Sequence, residues 1–286
     1  MLSNKVSEIM TTNLTKAPGG ATIFEVMQMM VAEDVGRIMI TDKDVPVGIF
    51  TEKDILRRVI NANLDPRKTG INTVMTSPIR AVREETHIID AFSKMYRGKF
   101  RHLLVRGRHG KIIGIISMRR ILNLAVELGQ GLSETRTLAD IALASVVEAA
   151  DRSSLQETLE LMNNRRVGAV VVTAGGAPVG IFTERDVLKR VATKELNLKT
   201  TPVSQAMTTP LITMPVTALA GDVLAEMYRR DIRNMPVNDA NGAITGIIAM
   251  PEILQYARAF NIDEQVRRSW KEVAAFLDTD DQYTPG

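Results

Sequence analysis

The spacing of apolar residues changes period in a fixed order along the first sixty positions. Ile23, Val26, Met27, Met30 and Val31 recur at helical spacing, and Thr22-Ile23-Phe24-Glu25 ahead of them has the Thr-x-x-Glu form of a capping box, which predicts a helix there. The methionines of this stripe read as core packing. Residues 14–17 form a short extended stretch closed by Pro18-Gly19-Gly20. Residues 37–41 and 45–50 are apolar runs split by the turn-forming Asp42-Lys43-Asp44, and they predict two strands. Thr51 then opens a second helix over residues 52–60. The order is β-α-β-β-α, preceded by the lead-in Val6-Ser7-Glu8-Ile9-Met10-Thr11.

That order returns three times. Further lead-ins lie at 74–79, 141–147 and 206–211, and strands at 101–105, 168–173 and 233–237. Helices are predicted at 88–95, after the capping-box spacing Ser153-Ser154-Leu155-Gln156, and around Val223 and Met227. The joint between last strand and second helix repeats most closely: Gly48-Ile49-Phe50-Thr51-Glu52-Lys53-Asp54 returns as Gly180-Ile181-Phe182-Thr183-Glu184-Arg185-Asp186. Looser copies are Gly114-Ile115-Ile116-Ser117-Met118-Arg119-Arg120 and Gly246-Ile247-Ile248-Ala249-Met250-Pro251-Glu252. The leading glycines are spaced 66 residues apart, the fixed period of a repeat architecture. A unit of this size buries only ~60% of its unfolded surface, so units are expected to pair. Gly129-Gln130-Gly131 interrupts a helical reading and divides the two halves. Unit boundaries are expected at 1–62, 68–128, 136–194 and 200–260. Residues 261–286 read as a helix with one apolar face (Ile262, Val266, Trp270, Val273, Ala274, Leu277) and a loose acidic tail.

Composition narrows the chemistry. With 45% hydrophobic and 24% charged residues the chain has the make-up of an ordinary globular protein. It has no cysteine, which removes disulfides, thiolate metal sites and a thiol nucleophile. His87, His102 and His109 lack ligand spacing and read as surface or structural residues, so no metal site is expected. The net charge is +3 and the pI 9.1, with no Lys/Arg run longer than two, a pattern that fits local anion binding better than a concentrated nucleic-acid face. No apolar run approaches the ~20 residues of a membrane span and the N-terminus lacks a signal-peptide core, so a cytoplasmic protein is expected. The sequence presents no nucleophile–base pair and no Walker-type loop, and no catalysis is expected.

The four units resemble CBS domains, and the chain resembles two tandem pairs of them, the arrangement called a Bateman module, as in the γ subunit of the AMP-activated protein kinase. The resemblance spans about residues 3–258. It rests on the Met-Thr lead-ins at Met10, Met75 and Met207, on the Gly-apolar-apolar-Thr/Ser-x-x-Asp joint, and on the period. It implies an α/β fold of four β-α-β-β-α CBS repeats, paired through their strands about a pseudo-two-fold axis into two Bateman modules that form a flat disc. It also implies a non-catalytic regulator that binds AMP, ADP or ATP in clefts between paired units.

The joint itself admits two readings. Thr51-x-x-Asp54 caps a helix, worth ~1 kcal/mol. The copies decay unequally, however: Arg120 stands where a cation opposes the helix dipole, and Ala249 replaces the hydroxyl. Drifting caps and abandoned binding sites would both produce this. The resemblance assigns ribose to Asp54 and Asp186, whose carboxylates can accept from both ribose hydroxyls. It assigns phosphate to Thr51 and Thr183 beside a helix N-terminus. It assigns adenine to the lead-in of the paired unit: Ser77, Pro78 and Ile79 for the Asp54 cleft, and Thr209, Pro210 and Leu211 for the Asp186 cleft. A proline there also suits the start of an edge strand. Arg37, Arg101 with His102, and Arg233 open the second strand in three units and by resemblance contact phosphate, which the planar guanidinium fits. Ala169 stands in that place in unit three, so the Asp186 cleft would depend on Arg233 or on Arg165 and Arg166.

Two occupied clefts are therefore expected, at units one and three. Arg120 is expected to fill or alter the second, and Glu252, longer and without a hydroxyl partner, is a poor substitute in the fourth. The rival readings are a nucleic-acid-associated module, suggested by the pI and the paired arginines, and a scaffold that recruits an enzyme or transporter through its C-terminal helix. S-adenosylmethionine or a metal could also occupy such clefts. A homodimer and an unspecified regulated protein are the expected partners.

Overall fold

The computed structural model describes residues 4–98, 100–121, 137–141, 143–194, 196–250 and 253. The glycine interruption at 129–131, Pro251, Glu252 and the C-terminal helix and tail lie outside the described residues. Each unit forms its own three-stranded sheet, parallel then antiparallel. Unit one contributes β1 (Lys16–Pro18), β2 (Arg37–Asp42) and β3 (Val45–Thr51). Unit two contributes β4 (Ala81–Arg83), β5 (His102–Arg106) and β6 (Ile112–Ser117). Unit three contributes β7 (Glu148–Ala150), β8 (Ala169–Ala174) and β9 (Ala177–Thr183), and unit four β10 (Met214–Pro215), β11 (Asn234–Asn238) and β12 (Ile244–Ala249). The crossover helices between first and second strands are α1 (Ile23–Ala32), α2 (Ile88–Arg97), α3 (Leu155–Arg165) and α4 (Ala220–Arg229). A parallel pair requires such a crossover.

Local chemistry sets the helix starts. Thr22 and Glu25 close the expected capping box: Thr22 N donates to Glu25 Oε2 at 2.8 Å and Glu25 N to Thr22 Oγ1 at 3.2 Å. In unit three the box sits one residue later than the spacing suggested. Ser154 rather than Ser153 is the cap, because its partner is Glu157, whose Oε2 accepts from Ser154 N at 2.8 Å, and not Gln156. The helix after the joint is also not uniform. Glu52–Asp54 is one α-turn that widens into a π-helix over Ile55–Ile60, and Glu184–Asp186 widens likewise over Val187–Ala192. π-turns of this kind are often found at functional sites.

Two levels of packing assemble the units. Paired sheets meet face to face: Met39, Leu104 and Ile115 are buried between units one and two, with Leu14, Ile49, Ile79, Ala81 and Ile112 around them. The lead-ins cross over at the same seam. Thr11 pairs with Ile115, Thr76 with Ile49, Ala144 with Ile247 and Thr208 with Ile181, so each lead-in is hydrogen-bonded to the third strand of the other unit in its pair. The helices carry the second level. One core joins units one and three, with Met27, Met30, Ile55 and Leu56 in the same cluster as Leu159, Met162, Val187 and Leu188. A second core joins units two and four, with Ile88, Met95, Val223 and Met227. Each unit thus touches two neighbours, one through its sheet and one through its helices, and the four close into a ring.

Candidate functional site

The joint lies where these levels intersect. At the end of β3, Thr51 N and Thr51 Oγ1 both donate to Asp54 Oδ2, at 2.9 and 2.7 Å. Asp54 Oδ1 faces Arg58 Nε at 3.3 Å. Asp54 is 8% exposed, and burial pushes its carboxyl above the usual range, against the opposing pull of the Thr51 hydrogen bond and of Arg58. Unit three repeats the geometry, with Thr183 N and Oγ1 donating to Asp186 Oδ2 at 2.9 and 2.7 Å and Arg190 Nη1 lying 3.4 Å from Asp186 Oδ1. One difference separates the copies. Thr208 Oγ1, from the lead-in of unit four, donates to Asp186 Oδ1 at 2.9 Å, and Asp54 receives no such bond from Thr76.

The residues expected to hold adenine lie beside these joints. The Thr76–Ile49 bridge places Ser77, Pro78 and Ile79 along β3 of unit one, and the Thr208–Ile181 bridge places Thr209, Pro210 and Leu211 along β9 of unit three. Ser77 Oγ donates to Val47 O at 2.9 Å and Thr209 Oγ1 to Val179 O at 3.1 Å, so both hydroxyls position the lead-in. Ser77 and Pro78 are exposed, whereas Ile79 packs into the apolar seam between the sheets. Two arginines that sequence reading passed over hold the same segments. Arg58 Nη1 donates to the carbonyls of Val74 and Met75 at 2.8 and 2.9 Å, and Arg190 Nη1 to those of Ala206, at 3.3 Å, and Met207. Their signal was an Asp-x-x-x-Arg spacing in copies one and three, which places both side chains on one helix face.

The persistent glycine of the joint also has a spatial cause. A Cβ at Gly48 would lie 2.3 Å from Met75 Sδ, one at Gly114 2.5 Å from Met10 Sδ, and one at Gly180 2.6 Å from Met207 Sδ. At Gly246 the neighbour is Leu143 Cβ at 2.5 Å. In every pair, the lead-in side chain of one unit lies directly on the bare backbone of the other.

The expected cations converge at the centre of the ring. Arg37 pairs with Thr51 across the β2–β3 ladder, His102 with Ser117 and Ala169 with Thr183, so the start of each second strand sits beside a joint. Arg37 is lowered to about 10, first by burial and then by Arg233 and Arg119. The imidazole of His102 is held well below its usual range by burial and by Arg37, Arg101 and Arg233. Arg37, Arg101, His102 and Arg233, from three units, therefore share one electrostatic locus, and Arg165 and Arg166 stand at the end of α3. Acids occupy the same place. Arg233 and Glu52 form an ion pair, Arg185 Nε lies 3.5 Å from Glu52 Oε1, and Asp231 pairs with both Arg185 and Arg119.

A shallow concavity elsewhere is lined by Asn13, Leu14, Thr15 and Lys16 of the first lead-in and by Met29, Ala32 and Glu33 at the end of α1. None of the residues expected from sequence lines it. Among the described residues no group of three or more His, Cys, Asp or Glu is placed to hold a metal ion, and no helix is long and apolar enough to cross a membrane.

Comparisons with known proteins agree with this architecture. The CBS domain family model matches residues 6–61, 71–127, 138–193 and 203–259. The CBS domain-containing protein CBSCBSPB3 of Arabidopsis thaliana is 26% identical over 302 residues, covering 90% of this chain and 53% of its own length. CBSCBSPB2 of the same plant is 29% identical over 273 residues, covering 84% of this chain and 50% of its own. The chain thus spans about half the length of these curated relatives. Among solved structures, a Methanocaldococcus jannaschii protein described as a proposed archaeal homologue of the AMP-activated protein kinase γ subunit superposes with a TM-score of 0.72 at 18% identity, over 88% of this chain and 99% of its own. An uncharacterised conserved protein of Pyrococcus horikoshii gives 0.57 at 19% identity with the same coverage. At these identities the likeness bears on the fold alone.

Proposed function

Because the chain belongs to the CBS domain family, with four copies forming two Bateman modules, we propose that it is a non-catalytic regulatory protein that binds adenine nucleotides in the Asp54 and Asp186 clefts. The observation that carries this reading is the juxtaposition at each seam. A buried carboxylate lies beside a lead-in from the paired unit, and cations from three units gather at the ring centre. The ionised Asp54 is under-solvated, and ribose hydroxyls donating to it would relieve that cost. The Oδ1 side, which faces Arg58 and, among the described residues, accepts no hydroxyl hydrogen bond, is where they would reach it. Arg37, half-buried beside Arg233 and Arg119, and His102, beside three arginines, are suited to a phosphate for the same electrostatic reason, since an anion would offset the crowded positive charge. Thr51 and Thr183 already give their hydroxyl protons to aspartate, so their part in phosphate binding would fall to oxygen lone pairs and neighbouring backbone.

A ligand bridging two units would act by stabilising one relative orientation, and only in proportion to its differential affinity for the alternatives. Calorimetric titration of AMP and ATP into the wild type, Asp54→Ala, Asp186→Ala and the double variant tests this. Hydrogen bonds to a charged group are worth ~1.5–3 kcal/mol each, so each single variant should weaken its own cleft at least about tenfold while remaining folded. Unchanged affinity in the double variant would sink the reading.

A further inference from the structure

The ring centre is not symmetric, although the sequence there nearly is. Glu52 of unit one and Glu184 of unit three occupy the same position of the joint, the residue after the threonine. Glu52 is 2% exposed and holds two guanidiniums: it is ion-paired with Arg233 of unit four and lies 3.5 Å from Arg185 Nε of unit three. Glu184 is half-buried and, among the described residues, makes no ion pair. Burial raises its carboxyl above the usual range, Arg101, Lys53 and Arg57 oppose this from a distance, and Glu52 repels it. Nearby, Arg57 Nε is buried without a hydrogen-bond partner.

The backbone is shaped for the Glu52 pair as well. A Cβ at Gly36 would lie 2.6 Å from Arg233 Nη2 and 2.8 Å from Glu52 Oε1, so the ion pair fills the space that a side chain would need. At the equivalent Gly168 a Cβ would rest 3.5 Å from the Glu184 carboxylate, an ordinary contact. One carboxylate is clamped at the centre and its counterpart is not.

We infer that Glu52 is a built-in competitor for the ligand's phosphate: it occupies the Arg233 guanidinium, and an anion can take Arg233 only by displacing it. This rests on the phosphate-binding part of the proposed function. A guanidinium has five N–H donors fixed in one plane, and a carboxylate seated on it leaves fewer for phosphate. A dianion arriving beside a buried carboxylate also meets like charge at low dielectric, where repulsion is strongest. Glu52 is shared with Arg185, and Arg185 with Asp231, which in turn holds Arg119. Displacing Glu52 would therefore loosen a chain of ion pairs running through all four units. Glu52 thereby sets the affinity threshold for phosphate and connects its arrival to the packing of the modules.

Glu52→Gln keeps the shape and one acceptor oxygen for Arg233 while removing the charge. Titrating inorganic pyrophosphate and, separately, AMP into the wild type and this variant should show binding at least about tenfold tighter in Glu52→Gln. Glu184→Gln, which removes an equal charge that is ion-paired with no cation among the described residues, should change it far less. Glu52→Asp, which withdraws the carboxylate by one methylene, should tighten binding by less than Glu52→Gln and serves as the reading if the amide variant fails to fold. Unchanged or weaker pyrophosphate binding in the Glu52 variants overturns the inference, as does equal tightening by Glu184→Gln, which would mark a general field effect. If pyrophosphate binding tightens but no variant binds AMP or ATP, the adenine reading falls and the role of Glu52 stands. If AMP binds in an Asp54-dependent way and Glu52→Gln leaves it unchanged, the reverse holds.

Discussion

Adding one methyl group at the joint glycine should separate two kinds of close contact. At Gly180 the new Cβ would lie 2.6 Å from Met207 Sδ and 2.8 Å from the Thr208 carbonyl oxygen. That carbonyl is not free to move, since it accepts from Ile181 N at 3.0 Å in the bridge that joins units three and four. At Gly48 the nearest atoms, at 2.3, 2.8 and 3.2 Å, all belong to the Met75 side chain, which can swing aside. Overpacking typically costs ~1–3 kcal/mol, and a strained bridge would add ~0.5–1.5 kcal/mol for a weakened hydrogen bond. Gly180→Ala should therefore destabilise by about 2–4 kcal/mol and Gly48→Ala by about 1–2 kcal/mol. Urea unfolding gives both values, provided the slope of free energy against denaturant is unchanged. Double-mutant cycles sharpen the contrast. Met75→Ala should recover most of the Gly48→Ala loss as coupling energy, whereas Met207→Ala should recover only part of the Gly180→Ala loss, because the carbonyl remains. Equal costs at the two glycines, or full rescue by Met207→Ala, would refute the claim that backbone contact decides the outcome.

Two further outcomes follow from the same geometry. His102 has a folded pKa below its unfolded value, so its contribution is present above about pH 6.5 and is lost as pH falls below that, when the unfolded chain takes up the proton first. Denaturation midpoints measured from pH 8 downwards should fall in that window, and His102→Asn should flatten the slope; an unaltered slope would assign it to other groups. Thr208→Val removes the donor that occupies Asp186 Oδ1, so it should raise AMP affinity at the Asp186 cleft severalfold while lowering stability by ~1.5–3 kcal/mol, the worth of a hydrogen bond to a charged group. Calorimetry and thermal unfolding on that variant report both, and weaker AMP binding would mean that Thr208 itself contacts the ligand.

The repeat, the unit order and the composition of each joint were legible in the chain because they are local. A 3.6-residue period, a turn cluster and a capping hydroxyl act over a few positions, and four copies in register reinforce one another. Even the one-residue error at Ser154 was local, a choice between two adjacent serines settled by which acid lies three residues on. The lead-ins showed as Met-Thr signatures, and their crossing to the paired unit followed from the family resemblance and not from the residues themselves, since period alone does not say which sheet a segment joins.

Sequence by itself determined that there are four units and that units one and three keep the full Thr and Asp set; of the cations expected to open three second strands, Arg37 and His102 do so, whereas Arg233 stands one residue before Asn234, the first residue of its strand. Tertiary structure alone decided what those residues face. The glycine that persisted in every copy proved to be a place where another unit's side chain lies against backbone. The ring closure through two helical cores joined residues more than a hundred positions apart, and with it came the unequal fates of Glu52 and Glu184. Contacts of that kind depend on which surfaces remain to be buried after each unit has formed, and a repeat that looks symmetric in sequence becomes asymmetric once neighbours of different charge are packed against it.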